Sequence, residues 1–568
     1  DLAQVAGPRQ ELAGLPQQDN MAFIGVDWGT TSLRAYLIDP NGNDHPVVHL
    51  REAGTLAINS KGPKVAEHFA DALDKLLSQG AQDAWRRKEV PVILCGMVGS
   101  RQGWLETSYV PASSATAAEV ALAGESVSTN DGRKALILPG LAHSPSSGGA
   151  RDVMRGEETQ LLGAIAISAK LNKEPAKESL FVLPGTHSKW AWTSAGSIVS
   201  FQTRMTGEMF DVLTKHSILG KLMQEASSCD WQAFDAGLER SASPGGMLNH
   251  LFTCRTEGLA GTFPPQSLSS YLSGILLGHE IRDATASGAR PSAVTIVGTD
   301  SLCERYRRAF SRICSIEALM ISGADAVTRG FCLVWQQLQQ REAAAKAKEK
   351  WIEAVSACPM VTILRGIKPD EAVEVGKVVV EAGFRIVEVP LNSPDAFSSI
   401  KLLAESVPAD VVVGAGTVLV AEDVQRVADA GGILIVSPNM DESVIKRTKE
   451  LGLLSMPGCA TPTEAFAALR FGADAVKAFP GEQLPPKILK AWRAVLPKDS
   501  LLMPTGGVTP ENLQEYWAAG VDGFGIGTNV YKAGDTPADV KRKAAQIISA
   551  SRALEPSPAV KRQKTSSR

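Results

Sequence analysis

Residues 23–39 read FIGVDWGTTSLRAYLID: an apolar strand, a Gly-Thr-Thr turn and a second strand. The arrangement returns about 150 residues later as SLFVLPGTHSKWAWTSAGSIVSF at 179–201. Two strand-turn-strand units of this kind, in a region that mixes strands with helices, predict two related lobes facing a cleft.

The chain has 568 residues, with 58 Lys and Arg against 61 Asp and Glu, 44% apolar residues and 21% charged ones. That length and balance predict two or three globular domains and exclude disorder as the main state. A formal net charge of −3 argues against a general nucleic-acid binder, which needs a basic face. Cys95, Cys229, Cys254, Cys303, Cys314, Cys332, Cys358 and Cys459 form no CxxC pair and lie beside no His at zinc-ligand spacing. Most fall in apolar runs, so buried reduced thiols in the cytoplasm are expected.

No apolar stretch approaches the ~18 residues that span a bilayer. Residues 1–20 lack the apolar core of a secretory signal and read as a disordered or processed leader. A first residue of Asp leaves open a removed segment that directs the chain to an organelle.

The sharpest break in composition is 337–350, QLQQREAAAKAKEK, which reads as a helical linker without an apolar face. It separates a first domain, 21–336, from a second, 351–550. The second carries eight β-rich runs between amphipathic helical stretches: VTILRG at 361, RIVEVPL at 385, VVVGAGT at 411, ILIVSPN at 433, LLSMPGCA at 453, DAVKAFP at 474, LLMPTGG at 501 and GFGIGT at 523. Eight βα units predict a (β/α)8 TIM barrel, with an open doubly wound sheet as the alternative. The polar stretch 551–568 reads as a disordered tail, and its KRQK cluster leaves a nuclear-import signal open.

Each domain holds a candidate site. In the first, Gly29, Thr30 and Thr31 form a turn whose amides and hydroxyls can approach phosphate oxygens, and Asp27 on the strand can hold Mg²⁺ or its waters. Gly185 and Thr186 stand at the equivalent turn, so two loops can clasp a nucleotide. Tight hairpins use the same residues for geometry alone.

These runs resemble the two phosphate loops of sugar kinases in the hexokinase, Hsp70 and actin superfamily. With GMVGSRQGW at 96, DVMRGEETQLLG at 152 and MTGEMFDVL at 205, the resemblance narrows to the 2-dehydro-3-deoxygalactonokinases and covers nearly all of 21–336. It implies a two-lobed actin-like ATPase fold, ATP and Mg²⁺ as cofactors, and phosphorylation of the terminal hydroxyl of a 2-keto-3-deoxy sugar acid. A general base is needed. Glu157 and Asp152 are the candidates, and Glu158 reads as a surface helix residue. Arg101 pairs with the substrate carboxylate in this scheme, Arg155 being second choice, and Gly298 lies in the adenosine loop.

In the second domain Lys477 is the one basic residue of an apolar strand. A lysine in a barrel loses its charge readily, and the neutral amine attacks ketones. Glu388, on the face of RIVEVPLN shared with Ile386 and Pro390, is the acid-base partner, with a structural ion pair as the alternative. The segments ILRGI, EVPLNSP, GAGTVL, MPGCATPTEAF, VKAFP and GGVTPEN resemble the class I 2-keto-3-deoxy-6-phosphogluconate and phosphogalactonate aldolases. The resemblance implies a Schiff base on Lys477, acid-base work by Glu388, and pyruvate carboxylate ligands in Arg365 and Thr417. It also implies a phosphate cradle of Gly506, Gly507 and Thr528, no metal, and a homo-oligomer, commonly a trimer.

The two resemblances name consecutive reactions, so one bifunctional enzyme acting on a small sugar acid and ATP, without nucleic acid or membrane, is the expectation. A regulatory sugar-binding protein and an oligomerising scaffold are the rivals. Thr505 before Gly506 favours the gluconate epimer, whereas the kinase motifs and PLNSP favour the galactonate one.

Overall fold

The computed structural model describes residues 22–40, 45, 47–51, 54–60, 65–144, 150–172, 178–286, 291, 293–552, 554 and 557–566. The leader, 1–20, lies outside them. The chain divides into two compact α/β units, 1–338 and 339–568.

In the first unit the two sequence repeats head two sheets of the same order. One runs Val47–Arg51, Ser32–Ile38, Phe23–Trp28, Val92–Gly96, Lys134–Ile137 and Glu125–Ser128. The other runs Ser197–Arg204, Ser188–Ser194, Glu178–Leu183, Ala293–Gly298 and Leu319–Ser322. In both, two antiparallel pairings are followed by two parallel ones. The central strands are apolar almost throughout because both faces are covered: Phe23 and Tyr36 join one cluster, Ile24 and Val26 another. Glycines let helices Glu157–Asn172 and Gly323–Ala357 cross in backbone contact. A Cβ on Gly163 would meet the Ala326 carbonyl at 1.9 Å, and one on Gly330 the Thr159 carbonyl at 1.9 Å.

In the second unit each of the eight runs carries a strand, the fifth split into Leu454–Met456 and Gly458–Cys459. Six parallel strands pair in one sheet, from Leu454–Met456 back through Met360–Ile363 to Phe524–Ile526. Gly458–Cys459, Ala475–Ala478 and Leu501–Pro504 pair in another. A parallel bridge from Thr505 to Gly525 links the two.

Period-two patterning assigns the faces. Val361, Ile386, Val412, Leu434, Leu454, Ala475 and Leu501 share one cluster with Trp351 and Ile352, whereas Val387, Val413, Val476 and Leu502 pack in another with the surrounding helices. Helix starts follow the sequence signals too. Thr461, Pro462 and Glu464 make a reciprocal capping box, the Thr461 hydroxyl accepting from the Glu464 amide at 3.3 Å and the Glu464 carboxylate from the Thr461 amide at 2.9 Å.

Two expectations are corrected. The linker 337–350 lies inside a helix running Gly323–Ala357, and two of its residues are buried: Leu338, 6% exposed, in a core of the first unit, and Ala347, 7% exposed, in the Trp351 cluster. The tail is also structured in part. Pro558–Ser566 is helical, and Ala559 and Val560 are buried in that same cluster. The apolar Ala-Val pair decides this against the polar composition around it, while Gln563 Nε2 donates to the Asp499 carbonyl at 2.7 Å and Arg562 to that of Lys498. Val560→Asp therefore places a charge in an apolar cluster. It is expected to destabilise the second unit by roughly 2–4 kcal/mol, read as a lowered melting transition; unchanged melting would make the tail dispensable.

Candidate functional sites

Backbone contacts between glycines assemble the first site. Gly96 and Gly156 have φ of +95° and +104°, which favour glycine. A Cβ on Gly96 would lie 2.5 Å from the Trp28 carbonyl, and one on Gly156 would lie 2.9 Å from the Gly96 Cα. This stacking carries the start of helix Glu157–Asn172 to the end of strand Phe23–Trp28, so that the charge of Asp27 reaches Glu157. Burial pushes the Asp27 carboxyl up, and Arg34 opposes it. Within the turn the Gly29 amide donates to the Ser32 carbonyl at 2.9 Å. The Gly29 and Thr30 carbonyls accept from Thr55 and Leu56, while Thr30 and Thr31 are exposed.

Lys189 connects the two candidate bases. Its Nζ lies 3.8 Å from Glu157 Oε1 and donates to Thr203 Oγ1 at 3.1 Å; Thr203 Oγ1 in turn donates to Asp152 Oδ1 at 2.7 Å. Asp152 also accepts from the Thr203 and Val153 amides, so its oxygens are spent on holding strands together. Glu157 accepts from the Arg155 amide at 3.2 Å and from its own amide, with Lys189 at a distance. Burial pushes the Glu157 carboxyl up; Lys189 pulls it down.

Glu158 is not a surface residue. It is fully buried, accepts from the Gly156 amide and the Thr159 hydroxyl, and is pushed up to about 8 by burial first and by Glu157 second. Arg155 is spent as well: its guanidinium donates to the Thr107 hydroxyl and carbonyl and stacks 4.3 Å from the Tyr109 ring centroid. Arg101 is 87% exposed, 3.7 Å from Glu106.

At the second turn, Gly207 packs on Gly185 and Thr186 so closely that a Cβ would lie 2.2 Å from the Gly185 carbonyl. The Glu208 amide donates to the Thr186 carbonyl at 2.9 Å, and Glu208 holds His187 Nε2 at 2.6 Å. Gly298 comes to the same place, a Cβ there lying 3.8 Å from Pro184 Cδ. Sequence reading gave no role to Lys189, although its position in an otherwise apolar strand, KWAW, is the same signal that singled out Lys477.

In the second unit Lys477 and Glu388 are 5% and 1% exposed, on the faces that patterning assigns to the strand interior. Burial pushes the Lys477 amine down, Glu388 opposing and Arg365 adding; burial pushes Glu388 up against Lys477 and Arg365. Glu388 Oε2 is buried without a hydrogen-bond partner. Gly416 makes room for that carboxyl, since a Cβ there would lie 2.8 Å from its atoms. Lys477 Nζ stands 4.8 Å from the Phe479 ring centroid.

Arg365 Nη1 donates to Asn392 Oδ1 at 2.7 Å, and the Gly366 amide to Ser393 Oγ at 2.9 Å, so the loop after Pro390 aims Arg365. Thr417 follows strand Val412–Gly416 with φ +57°, a left-handed backbone. Gly506 and Gly507 have φ of +99° and +67°, and Glu482 lies against them where a Cβ on Gly506 would be 2.6 Å from Oε2. Thr505 is 5% exposed with its hydroxyl unpartnered, and Thr528 is exposed.

Comparisons with known proteins place two enzyme classes in one chain, a kinase and an aldolase. By its sequence the chain belongs to the 2-keto-3-deoxy-galactonokinase family over residues 27–334 and to the KDPG and KHG aldolase family over 352–542. The first part is 37% identical over 313 residues to the 2-dehydro-3-deoxygalactonokinase of Escherichia coli (strain K12), covering 54% of this chain and 95% of that protein. The second is 45% identical over 194 residues to the 2-dehydro-3-deoxy-6-phosphogalactonate aldolase of the same organism, covering 34% of this chain and 95% of that one. It is also 45% identical over 192 residues to a probable 2-dehydro-3-deoxy-6-phosphogalactonate aldolase of Rhizobium meliloti (strain 1021), covering 34% and 91%.

Two variants test the lysine site. Gly416→Ala should displace the Glu388 carboxyl and lower aldol turnover at least ~10-fold, with borohydride still trapping pyruvate on Lys477. Equal loss of trapping would separate Gly416 from Glu388. Glu388→Gln removes the charge that raises Lys477, so the amine becomes neutral at lower pH and the onset of trapping should move acidward; a shift to higher pH would reverse the assigned coupling.

Proposed function

We propose that the chain phosphorylates the 6-hydroxyl of 2-dehydro-3-deoxy-D-galactonate with ATP, then cleaves the 6-phosphate to pyruvate and D-glyceraldehyde 3-phosphate. What carries the reading is that relatives of the two parts are named for consecutive reactions, a 2-dehydro-3-deoxygalactonokinase and a 2-dehydro-3-deoxy-6-phosphogalactonate aldolase. In this reading the kinase domain is 21–336 with a two-lobed actin-like fold, the repeated sheet order being its support. The aldolase domain is 351–550 as a (β/α)8 barrel, supported by eight parallel strands linked through the Thr505–Gly525 bridge.

In the kinase, the Asp27, Gly29, Thr30 and Thr31 turn and the Gly185 and Thr186 turn take the phosphates of ATP, with Gly298 beside its adenosine. Asp27 fits Mg²⁺: it is a hard oxygen donor in the cleft, and Mg²⁺ characteristically uses one or two carboxylates plus substrate phosphates. Among the described residues no group of three or more His, Cys, Asp or Glu side chains makes a metal site of protein ligands alone. Mg²⁺ supplies charge neutralisation on the transferred group. Glu157 accepts the proton of the attacking hydroxyl, Asp152 positions Thr203 and Lys189, and exposed Arg101 reaches the substrate carboxylate.

In the aldolase, neutral Lys477 attacks the C2 ketone, water departs, and a protonated imine remains. Glu388 takes the C4 hydroxyl proton as the C3–C4 bond breaks; the electron pair passes to the iminium, C3 is reprotonated, and water releases pyruvate. Arg365 and Thr417 hold the pyruvate carboxylate, while Gly506, Gly507 and Thr528 hold the phosphate. Cytoplasmic residence agrees with eight cysteines that are all free and with the absence, among the described residues, of a helix long and apolar enough to cross a membrane. Assembly as a trimer through the aldolase domain completes the reading.

Thr505 favours a second specificity. A buried unpartnered hydroxyl at that place suits a substrate hydroxyl, as expected for the gluconate epimer. Supplied with 2-dehydro-3-deoxygalactonate, ATP and Mg²⁺, the protein should yield pyruvate. Asp27→Asn should abolish this while still cleaving added 6-phosphate, and Lys477→Ala should still phosphorylate the sugar acid while yielding no pyruvate from either substrate. No pyruvate from either substrate would sink the reading. Thr505→Val should lower cleavage of the gluconate epimer by ~10-fold or more relative to the galactonate one, and an unchanged ratio would remove Thr505 from epimer choice.

A further inference from the structure

One buried carboxylate of the first unit stands outside both proposed reactions. Glu280, in helix Leu268–Ala286, is 5% exposed. Its Oε1 accepts from Trp190 Nε1 at 2.6 Å, and its Oε2 from the Tyr306 hydroxyl at 2.8 Å. Tyr306 lies 2.9 Å from Ser188 Oγ; having donated its proton to Glu280, it accepts from Ser188. The Thr206 hydroxyl and the Arg204 guanidinium also surround the carboxyl. Five elements therefore meet on one side chain: its own helix, strands Ser188–Ser194 and Ser197–Arg204, helix Asp300–Cys314 and the start of helix Thr206–His216.

The connected residues flank a single loop. Ser188 is two residues after Thr186 on one side of the turn. On the other side, Thr206 begins the helix in which Gly207 touches the Gly185 carbonyl and Glu208 binds the Thr186 carbonyl and His187. A carboxylate offers two oxygens and no donor, which suits a site where Trp190 and Tyr306 each present a donor. Such a network is rigid when complete and leaves costly unsatisfied donors when its centre is removed.

We propose that Glu280 is a positioning residue for ATP binding. By tying Ser188 and Thr206 together from beneath, it fixes the Gly185–Thr186 loop in the shape that receives the nucleotide's phosphates. This rests on the reading of that loop as a phosphate loop.

The test compares Tyr306→Phe, Glu280→Ala, Glu280→Gln and Thr186→Val in the full chain, with aldolase turnover as an internal measure of intact protein. Tyr306→Phe breaks the link between Ser188 and Glu280 while keeping the ring. It should raise the kinase KM for ATP by about 5- to 10-fold, with the KM for the sugar acid and the aldolase kcat/KM within about twofold. Glu280→Ala should raise it further, and Glu280→Gln, which keeps an acceptor for Trp190, should recover most of the loss. An unchanged KM for ATP in Tyr306→Phe, beside a raised one in Thr186→Val, would overturn the role of Glu280. A fall of apparent kinase kcat in step with lost folded protein, with both kinase KM values unchanged, would do the same. An unchanged KM for ATP in Thr186→Val would instead overturn the phosphate-loop reading itself.

Discussion

Charge taken out of water is the constraint on which the rest of this protein is built. An ammonium or carboxylate loses several kcal/mol on burial unless a partner compensates it. Lys477 and Glu388 answer that constraint with each other, and the compensation is incomplete: Glu388 retains an unpartnered oxygen, and both groups move toward their neutral forms. The first unit meets the same constraint with a longer series, Glu157, Lys189, Thr203 and Asp152, in which one carboxylate is saturated and the other is not. Arg155 and Asp152 are as polar as their neighbours but are held by hydrogen bonds within the protein, Arg155 to Thr107 and Asp152 to Thr203 and Val153.

Glycine is how the backbone admits these groups. Gly416 leaves space for the Glu388 carboxyl, and the Gly96–Gly156 contact brings a helix start to a strand end. In both units a side-chain function is obtained by removing side chains nearby. That logic explains why motifs rich in Gly surround both sites even where no ligand is expected to touch the glycine itself.

Much of this was legible in the sequence, and the reasons are physical. The eight strands of the second unit were readable because runs buried on both faces stay apolar, so that Lys477 and Glu388 stood out within them. The repeated hairpins were readable because turn chemistry is local. What escaped depends on distant contacts. The burial of Glu158 follows from a backbone crossing that no spacing reveals, and the occupation of Arg155 by Thr107 joins residues 48 apart. The Ala559 and Val560 anchor was hidden by a polar average, since they are two of only four apolar residues among the eighteen of 551–568. Lys189 carried the right signal and lacked only a visible partner.

Helix Gly323–Ala357 has a consequence for how such a chain could arise. Its first part supplies Phe331, Trp335 and Leu338 to a core of the first unit, and its last part supplies Ala347, Trp351 and Val355 to a core of the second. Only 339–346 lies between these claims. Two enzymes that end and begin in a helix can be joined in frame there, since the seam itself is helical. The same short interval is where a gene would be cut to express the two enzymes separately with both cores whole.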